Sequence, residues 1–553
     1  MGIKKSRREF VKNSSLALPF LASNIFPFDG FTEPDETINI GCYTQLFVDD
    51  YLVQSMHNLK RKMHVANKHN ENPLIVPEQA LERKYKYHYT WDNGSVIWDK
   101  FSQLYKMYHS QVQRYTLYAE SKDGIVWEKP DISKVSYNGT KHNNILFEGV
   151  SPTTVIFNEK ENDGFYYRLF AGKQIFKSHD GLEWIKINTN QEFPNDSGAV
   201  VYDPFKDLYI SVSKDRYPIG KIIQNPLTAE EWDIPIRVLG LTRSKDSVFW
   251  SKWKEILRPD EEDHRSVEEK YPAVFVEGFL IPWRMKPEFV AAHAFAEKSG
   301  FLDRLTVPPQ KNFHHLEFMN MILIPYHNLY IGLLEVLNST AQVIDFGAKG
   351  SPRAESPGQD GTMEVQLVCS RDLKNWMRLG GREPFIPLGG IKEWDRSMIM
   401  PFTSNNIIVD GKMRIYYGGS IHSHRPNSMW NKPGNYPEER QALGMATIRK
   451  DGFVSIDATS EEGILLTKPI VFDGANLILN ADASKGFIEV CVTDEEGEII
   501  PGYERHKCQN LSGDELEYII TWENKKNLAG LQNQKVRLKF FLKNASLYSF
   551  TIN

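Results

Sequence analysis

The sequence predicts an all-β chain, a five-bladed β-propeller followed by a C-terminal β-sandwich. Three observations carry that expectation: a turn motif that recurs along the chain, an aromatic strand motif that precedes its copies, and a change of pattern after Asp457. A length of 553 residues asks for more than one folding unit, since domains run to about 100–200 residues. With 66 Lys+Arg against 71 Asp+Glu the net charge is −5, which supplies no basic stripe, so no nucleic-acid partner is expected. A hydrophobic share of 41% and a mean hydropathy of −0.44 are ordinary for a soluble globular chain. The 12 Trp and 24 Tyr suit aromatic strands packed on one another, and a few such rings suit stacking on sugars.

Residues 1–24 read as a removed address. Arg7-Arg8-Glu9-Phe10-Val11-Lys12 precedes a short apolar stretch, Leu16 to Leu21, and the small residues Ala22-Ser23, the order of a secretory signal. The segment resembles a twin-arginine signal, which implies a protein folded before export to the periplasm or beyond. Its apolar run is short of the roughly 20 residues that span a bilayer, so no membrane anchor is expected. Cys42, Cys369, Cys491 and Cys508 lack metal-site spacing, and only Cys491 and Cys508 are near enough in sequence to suggest a bridge. Four structural thiols, or at most one disulfide, are expected.

The propeller is assigned to residues 40–460. Ser121-Lys122-Asp123-Gly124-Ile125-Val126-Trp127 recurs as Ser178 to Trp184, Ser244 to Trp250 and Ser370 to Trp376, with a degenerate copy at Arg449 to Phe453. Ser, Asp and Gly make a tight turn, and the aromatic opens the next strand. Leu104 to Tyr108, Tyr166 to Phe170, Leu208 to Val212, Leu329 to Leu333 and Met413 to Tyr417 form the companion motif, alternating rings and aliphatics as a strand buried on both faces does. Units of this size, each with four strands, describe propeller blades, and five are counted. Innermost strands are expected to begin near Trp91-Asp92-Asn93-Gly94, Ser151-Pro152-Thr153, Asn195-Asp196-Ser197-Gly198, Glu317-Phe318 and Asp395-Arg396-Ser397. Leu46 to Asp50 is expected to pair into the last blade and close the ring. Residues 464–553 carry short alternating strands and are assigned to a β-sandwich, expected to brace the propeller.

Ser370 to Trp376, Tyr105 to Tyr108 and Tyr416-Tyr417-Gly418-Gly419-Ser420 resemble the five-bladed propeller glycosidases, glycoside hydrolase families 43 and 32 and their relatives. Asn72-Pro73-Leu74-Ile75 and Gly452 to Asp457 are similar to family 32-like proteins that join a propeller to a sandwich. The resemblance covers about residues 40 to 553 and implies an enzyme acting on the ends of oligosaccharides, with three carboxylates on innermost strands. It places Asp92 as base or nucleophile, Asp196 as the residue that tunes a pKa and Glu317 as the acid, with Asp395 and Glu364 in reserve. Glycosidic hydrolysis needs one protonated and one ionised carboxyl, and crowding separates their pKa values. The Asn-Asp-Pro-Asn-Gly, Arg-Asp-Pro and Glu-Cys motifs of family 32 are absent. No cofactor is expected to be required; a structural calcium ion is the other use for a channel carboxylate.

Residues 263–315 lengthen one blade interval and carry four of the 15 His together with Arg284 and other basic residues. A long excursion feeding an innermost strand is expected to fold over the channel mouth. Arg and His there suit an anionic sugar, because guanidinium pairs with carboxylate bidentately. That opens a rival chemistry on the same scaffold. His315 would remove the hydrogen beside a terminal uronate carboxylate, and water or a sugar would be eliminated. Trp91, Asn93, Arg284, His314, Asp395, Arg396, His422 and His424 are the substrate-binding candidates. Glycosidic bond hydrolysis is the expected activity, with elimination the alternative and a non-catalytic glycan-binding propeller the third reading; the sequence leaves the oligomeric state open.

Overall fold

The computed structural model describes residues 37–77, 94–111, 115–150, 154–161, 163–172, 174–187, 198–225, 230–270, 315–343, 358–390, 392–404, 406–421, 424 and 441–553. Five antiparallel blades follow one another around a ring, the last two joined into one sheet by the parallel pair Met363↔Met398. Blade 1 is Gly94–Asp99, Leu104–Gln111, Tyr115–Ser121 and Ile145–Glu148. Blade 2 is Thr154–Phe157, Tyr167–Ala171, Gln174–Ser178 and Trp184–Ile187. Blade 3 is Ala199–Asp203, Leu208–Asn225, Glu230–Ser244 and Lys254–Leu257. Blade 4 is His315–Tyr326, Leu329–Val343 and Gly358–Ser370, with Met377–Arg378 outermost. Blade 5 is Met398–Pro401, Lys412–Ser420 and Gln441–Arg449, with Asn67–Lys68 as its outer strand.

The recurring turn is a side-chain device. Ser121 Oγ accepts the Gly124 N–H at 2.8 Å, and Asp123 Oδ1 accepts the N–H groups of Ile125 and Val126 at 2.8 Å each. Ser178 with Asp180, Ser244 with Asp246 and Ser370 with Asp372 repeat the Asp bonds in their own turns. Tyr108 of blade 1 donates its hydroxyl to Gly181 O in the turn of blade 2, and Tyr416 of blade 5 donates to Gly124 O in blade 1. A Cβ at Gly181 would stand 2.2 Å from that hydroxyl, and φ there is +80°, so glycine is required twice over. The preceding blades offer Phe170 and Val212 to the turns at Ser247 and Leu373, and there a side chain is accommodated although φ is also positive. Replacing Asp180 with Ala should therefore cost about 0.5–2 kcal/mol, as loss of a side-chain cap on exposed backbone N–H groups does, read from the midpoint of a denaturant titration.

A second bond ties the ends of the first three inner strands to the next blade. Lys106 Nζ bridges Asp99, at 2.8 Å, to the Tyr167 hydroxyl, at 3.1 Å. Asn158 donates to the Tyr209 hydroxyl at 3.3 Å, and Asp203 accepts from Tyr330. The tyrosine of the companion motif is thus an inter-blade anchor. Between these anchors lie apolar clusters such as Tyr108, Tyr118, Leu169 and Phe176 between blades 1 and 2. Each such fully buried side chain contributes roughly 1.5–3 kcal/mol.

The ring closes differently from the expectation. Gln45–Leu46 pairs with Ala545–Ile552 in the sandwich, so Leu46 to Asp50 does not join the last blade; Asn67–Lys68 does, beside Ala446 and Thr447. Val53–His57, Leu59–Met63 and Val454–Ala458 also lie in the sandwich sheets, which draw on both ends of the described chain. Thr403–Ser404, continuing the inner strand of blade 5, then runs parallel to Ser95 and Val96 of blade 1. The sandwich grips the propeller through polar clamps. Asp49 takes two Arg371 nitrogens at 2.8 and 2.9 Å, and Arg449 reaches Asn480 at 2.6 Å. All four cysteines are free thiols, so Cys491 and Cys508 form no bridge.

Candidate functional site

The inner strands of the blades start at one end of the ring, and two hairpins rise beyond that end. The blade 3 hairpin continues past Ser213↔Gly240, and the blade 4 hairpin past His315↔Ser339. Strand alternation sets His315 and Glu317 on one side of the blade 4 inner strand. Glu317 is fully buried. Its Oε1 faces His315 Nε2 at 3.1 Å, and its Oε2 accepts from Arg237 Nη1, on the blade 3 hairpin, at 2.6 Å. Burial pushes the Glu317 carboxyl up, but the Arg237 guanidinium and His315 outweigh it and hold it down at about 2. The acid role expected for Glu317 needs a protonated carboxyl, and this one is ionised at neutral pH. A carboxylate beside Nε2 fixes the orientation of the His315 ring.

A helix, Glu261–Lys270, packs against this strand; it is the described start of the 263–315 segment. Asp260 Oδ1 accepts the Asp263 N–H at 2.9 Å, and Asp263 Oδ2 accepts the Asp260 N–H at 3.1 Å, a capping box. Asp263, buried, also takes Arg378 Nη1 at 2.7 Å and pairs with Arg382 at 2.7 Å. Arg382 lies 2.6 Å from Asp260 and holds that carboxyl down at about 2. Arg378 continues the chain to Gln366, which donates to Glu364 at 3.1 Å. His264, from the same helix, accepts the Leu316 N–H at 3.2 Å, with its ring 6.4 Å from that of His315. Burial first, then the charge of His315, lowers the His264 pKa, which suits a ring accepting through a bare nitrogen. Asp263→Ala should cost about 3–5 kcal/mol, because it leaves the mostly buried Arg378 guanidinium without its carboxylate, whereas Arg382 keeps Asp260; chemical denaturation measures it.

Asp395 is buried beneath Lys68 Nζ at 2.6 Å and the Tyr417 hydroxyl at 2.9 Å, beside the Trp394 ring stacked on Tyr417 at 5.5 Å. Those partners give Asp395 a structural use in blade 5. Arg396 Nε donates to Ile421 O at 3.3 Å. The His424 N–H donates to Gly361 O at 2.9 Å, and Gly361 stands in register with Ser339 and so with His315. His424 therefore comes to the same end of blade 4 as His315. Trp91, Asp92, Asn93, Asp196, Arg284, His314 and His422 lie outside the described residues. Arg237 and His264 are members of the site that the motifs did not single out. Among the described residues no group of three or more His, Cys, Asp or Glu is placed to hold a metal, and no helix is long and apolar enough to cross a membrane.

The sheet order and the buried mouth define the class: a five-bladed β-propeller joined to a β-sandwich, with a charged array where its inner strands begin. No protein-family model matches the chain, and no curated protein matches its sequence. Among solved structures the chain is similar to one titled a glycoside hydrolase, at 12% identity and a TM-score of 0.34, covering 70% of this chain and 92% of that one. A thermostable family-43 glycoside hydrolase gives 12% and 0.36, over 66% and 92%. The catalytic domain of an α-L-arabinofuranosidase of family 62 from Coprinopsis cinerea gives 12% and 0.35, over 70% and 97%. At such identities and scores the fold rests on the sheet pairing, and the chemistry on the side chains at the mouth.

Proposed function

We propose that this chain is a carbohydrate-active enzyme that works on the ends of anionic oligosaccharides, and that His315 is its proton-transfer group. One observation carries the reading: a buried carboxylate, Glu317, held ionised between Arg237 and His315. An ionised carboxylate orients and charges a histidine well, and donates a proton poorly. Arg237 pairs with Glu317 through Nη1, and guanidinium groups pair well with carboxylates, so the same mouth suits a substrate carboxylate.

With a terminal uronic acid the reaction is an elimination. Neutralising the sugar carboxylate against Arg237 acidifies the hydrogen on the adjacent carbon, and His315 takes it. The electron pair forms a double bond to the next carbon, whose bond to oxygen breaks. The leaving oxygen departs as water or as the remaining sugar, taking the proton that His315 has just accepted. No oxidant or added water is consumed. A second reading, hydrolysis, is favoured by Asp92 and Asp196, which directly precede the inner strands beginning at Gly94 and Ala199. Incubation with uronate-terminated oligosaccharides separates the two. Elimination yields a product with a conjugated double bond absorbing in the ultraviolet, whereas hydrolysis releases a saturated sugar.

A further inference from the structure

We propose a second carbohydrate-binding site at the opposite end of the propeller channel, fitted to a neutral sugar unit. That the ligand is a carbohydrate rests on the reading above; that a built site exists there rests on the following geometry. Three consecutive inner strands end in an aromatic residue followed by Asp or Asn: Trp98-Asp99, Phe157-Asn158 and Tyr202-Asp203. The polar member has a structural use in every case. Asp99, Asn158 and Asp203 cap their own turns, accepting the N–H groups of Phe101, Lys160 and Phe205 at 2.9, 3.0 and 2.9 Å, besides serving the inter-blade anchors.

The aromatic member lies on the other face of its strand. Each ring leans on the tyrosine opposite it in its own blade: Trp98 on Tyr105 at 4.6 Å, Phe157 on Tyr167 at 5.0 Å, and Tyr202 on Tyr209 at 5.1 Å. All three are only partly buried and line one cavity of about 340 Å3, within the usual range for a small-molecule site. Exposed rings continue the surface nearby, Phe101 at 58% and Phe205 at 44%. Three rings set by blade repetition form an apolar lining for the C–H faces of a sugar, and the lip supplies partners for its hydroxyls.

The charge at that lip argues for a neutral unit. Lys100 is paired with Glu159, and Lys160 Nζ donates to Pro204 O at 3.0 Å. Lys160 keeps its charge, but it is exposed and screened by solvent, so it selects a uronate only weakly, in contrast to the mostly buried Arg237 and His315 at the mouth. Blade 1 spans Gly94–Asp99 between the two ends, so roughly 17 Å of strand separates them. A chain end held at the mouth and a neutral stretch held at the far face are then independent contacts to one polysaccharide.

The test uses the full chain with a panel of neutral tetrasaccharides in xylo, cello and galacto configurations, read by saturation-transfer NMR. At least one should receive saturation from the protein. Pro204→Trp, an exposed change that fills the cavity and removes no core atom, should abolish that signal, as should Tyr202→Ala. Turnover of uronate-terminated substrate by Pro204→Trp should be unchanged. The proposal is overturned if no tetrasaccharide binds, or if binding survives Pro204→Trp and disappears in His315→Ala. Absence of turnover with binding retained at the far face would sink the enzymatic reading alone.

Discussion

Glu317→Gln should unfold at a much lower denaturant concentration than the parent and turn over no oligosaccharide. The isosteric amide keeps the volume of the side chain and removes its charge. Arg237, mostly buried, is then left facing a neutral group, and breaking a buried pair on one side costs about 3–5 kcal/mol. The same figure follows from ionisation. The carboxyl stands at about 2 against an ordinary 4.5, and each unit of difference is worth about 1.4 kcal/mol. Because the folded value is the lower one, this stabilisation is fully present above pH 4.5 and is lost as the pH falls toward 2. Parent and variant should therefore differ most near neutrality and converge in acid. A gap in stability that stays constant across that window would mean that Glu317 is not held ionised by the fold.

His315→Ala should behave in the opposite way, with the fold retained and turnover reduced by about 10²–10⁴, the usual contribution of a positioned acid–base group. Glu317 keeps Arg237 in that variant, so the buried charge remains matched. Added imidazole should restore part of the rate, because the space beside the Glu317 carboxylate is of the right shape and charge. Unfolding midpoints and turnover, measured on the same samples, separate a proton-transfer role from a structural one.

The propeller was legible because its blades are built from local chemistry. Ser, Asp and Gly in the recurring turn bond to backbone within the same few residues, and such patterns survive in sequence. Ring closure was not legible for the opposite reason. Leu46 to Val48 is an apolar run like a strand, but the pairing there is Gln45–Leu46 with Ala545–Ile552, far along the chain, whereas the closing strand Asn67–Lys68 is two polar residues with no pattern. The helix Glu261–Lys270 did leave a signal, Pro259-Asp260 followed by Asp263, the reciprocal cap now seen in the structure.

At the mouth, position was readable and role was not. Glu317 and His315 stand where an innermost strand was expected to begin. The state of Glu317 depends on Arg237, which comes from a different blade and carries no motif of its own. Asp395 shows the same limit, since Lys68 and Tyr417 bury it from distant strands. A carboxylate at the start of a strand can serve as acid, as anchor or as a partner to histidine, and only the neighbour across the blade decides which.

The most direct test of proton abstraction by His315 is turnover of a uronate-terminated oligosaccharide in water enriched in heavy oxygen, followed by mass spectrometry of the products. Elimination should give an unsaturated product carrying no label, absent in His315→Ala. A saturated product labelled at its newly formed sugar end, still formed by His315→Ala, would contradict it and assign the mouth to hydrolysis.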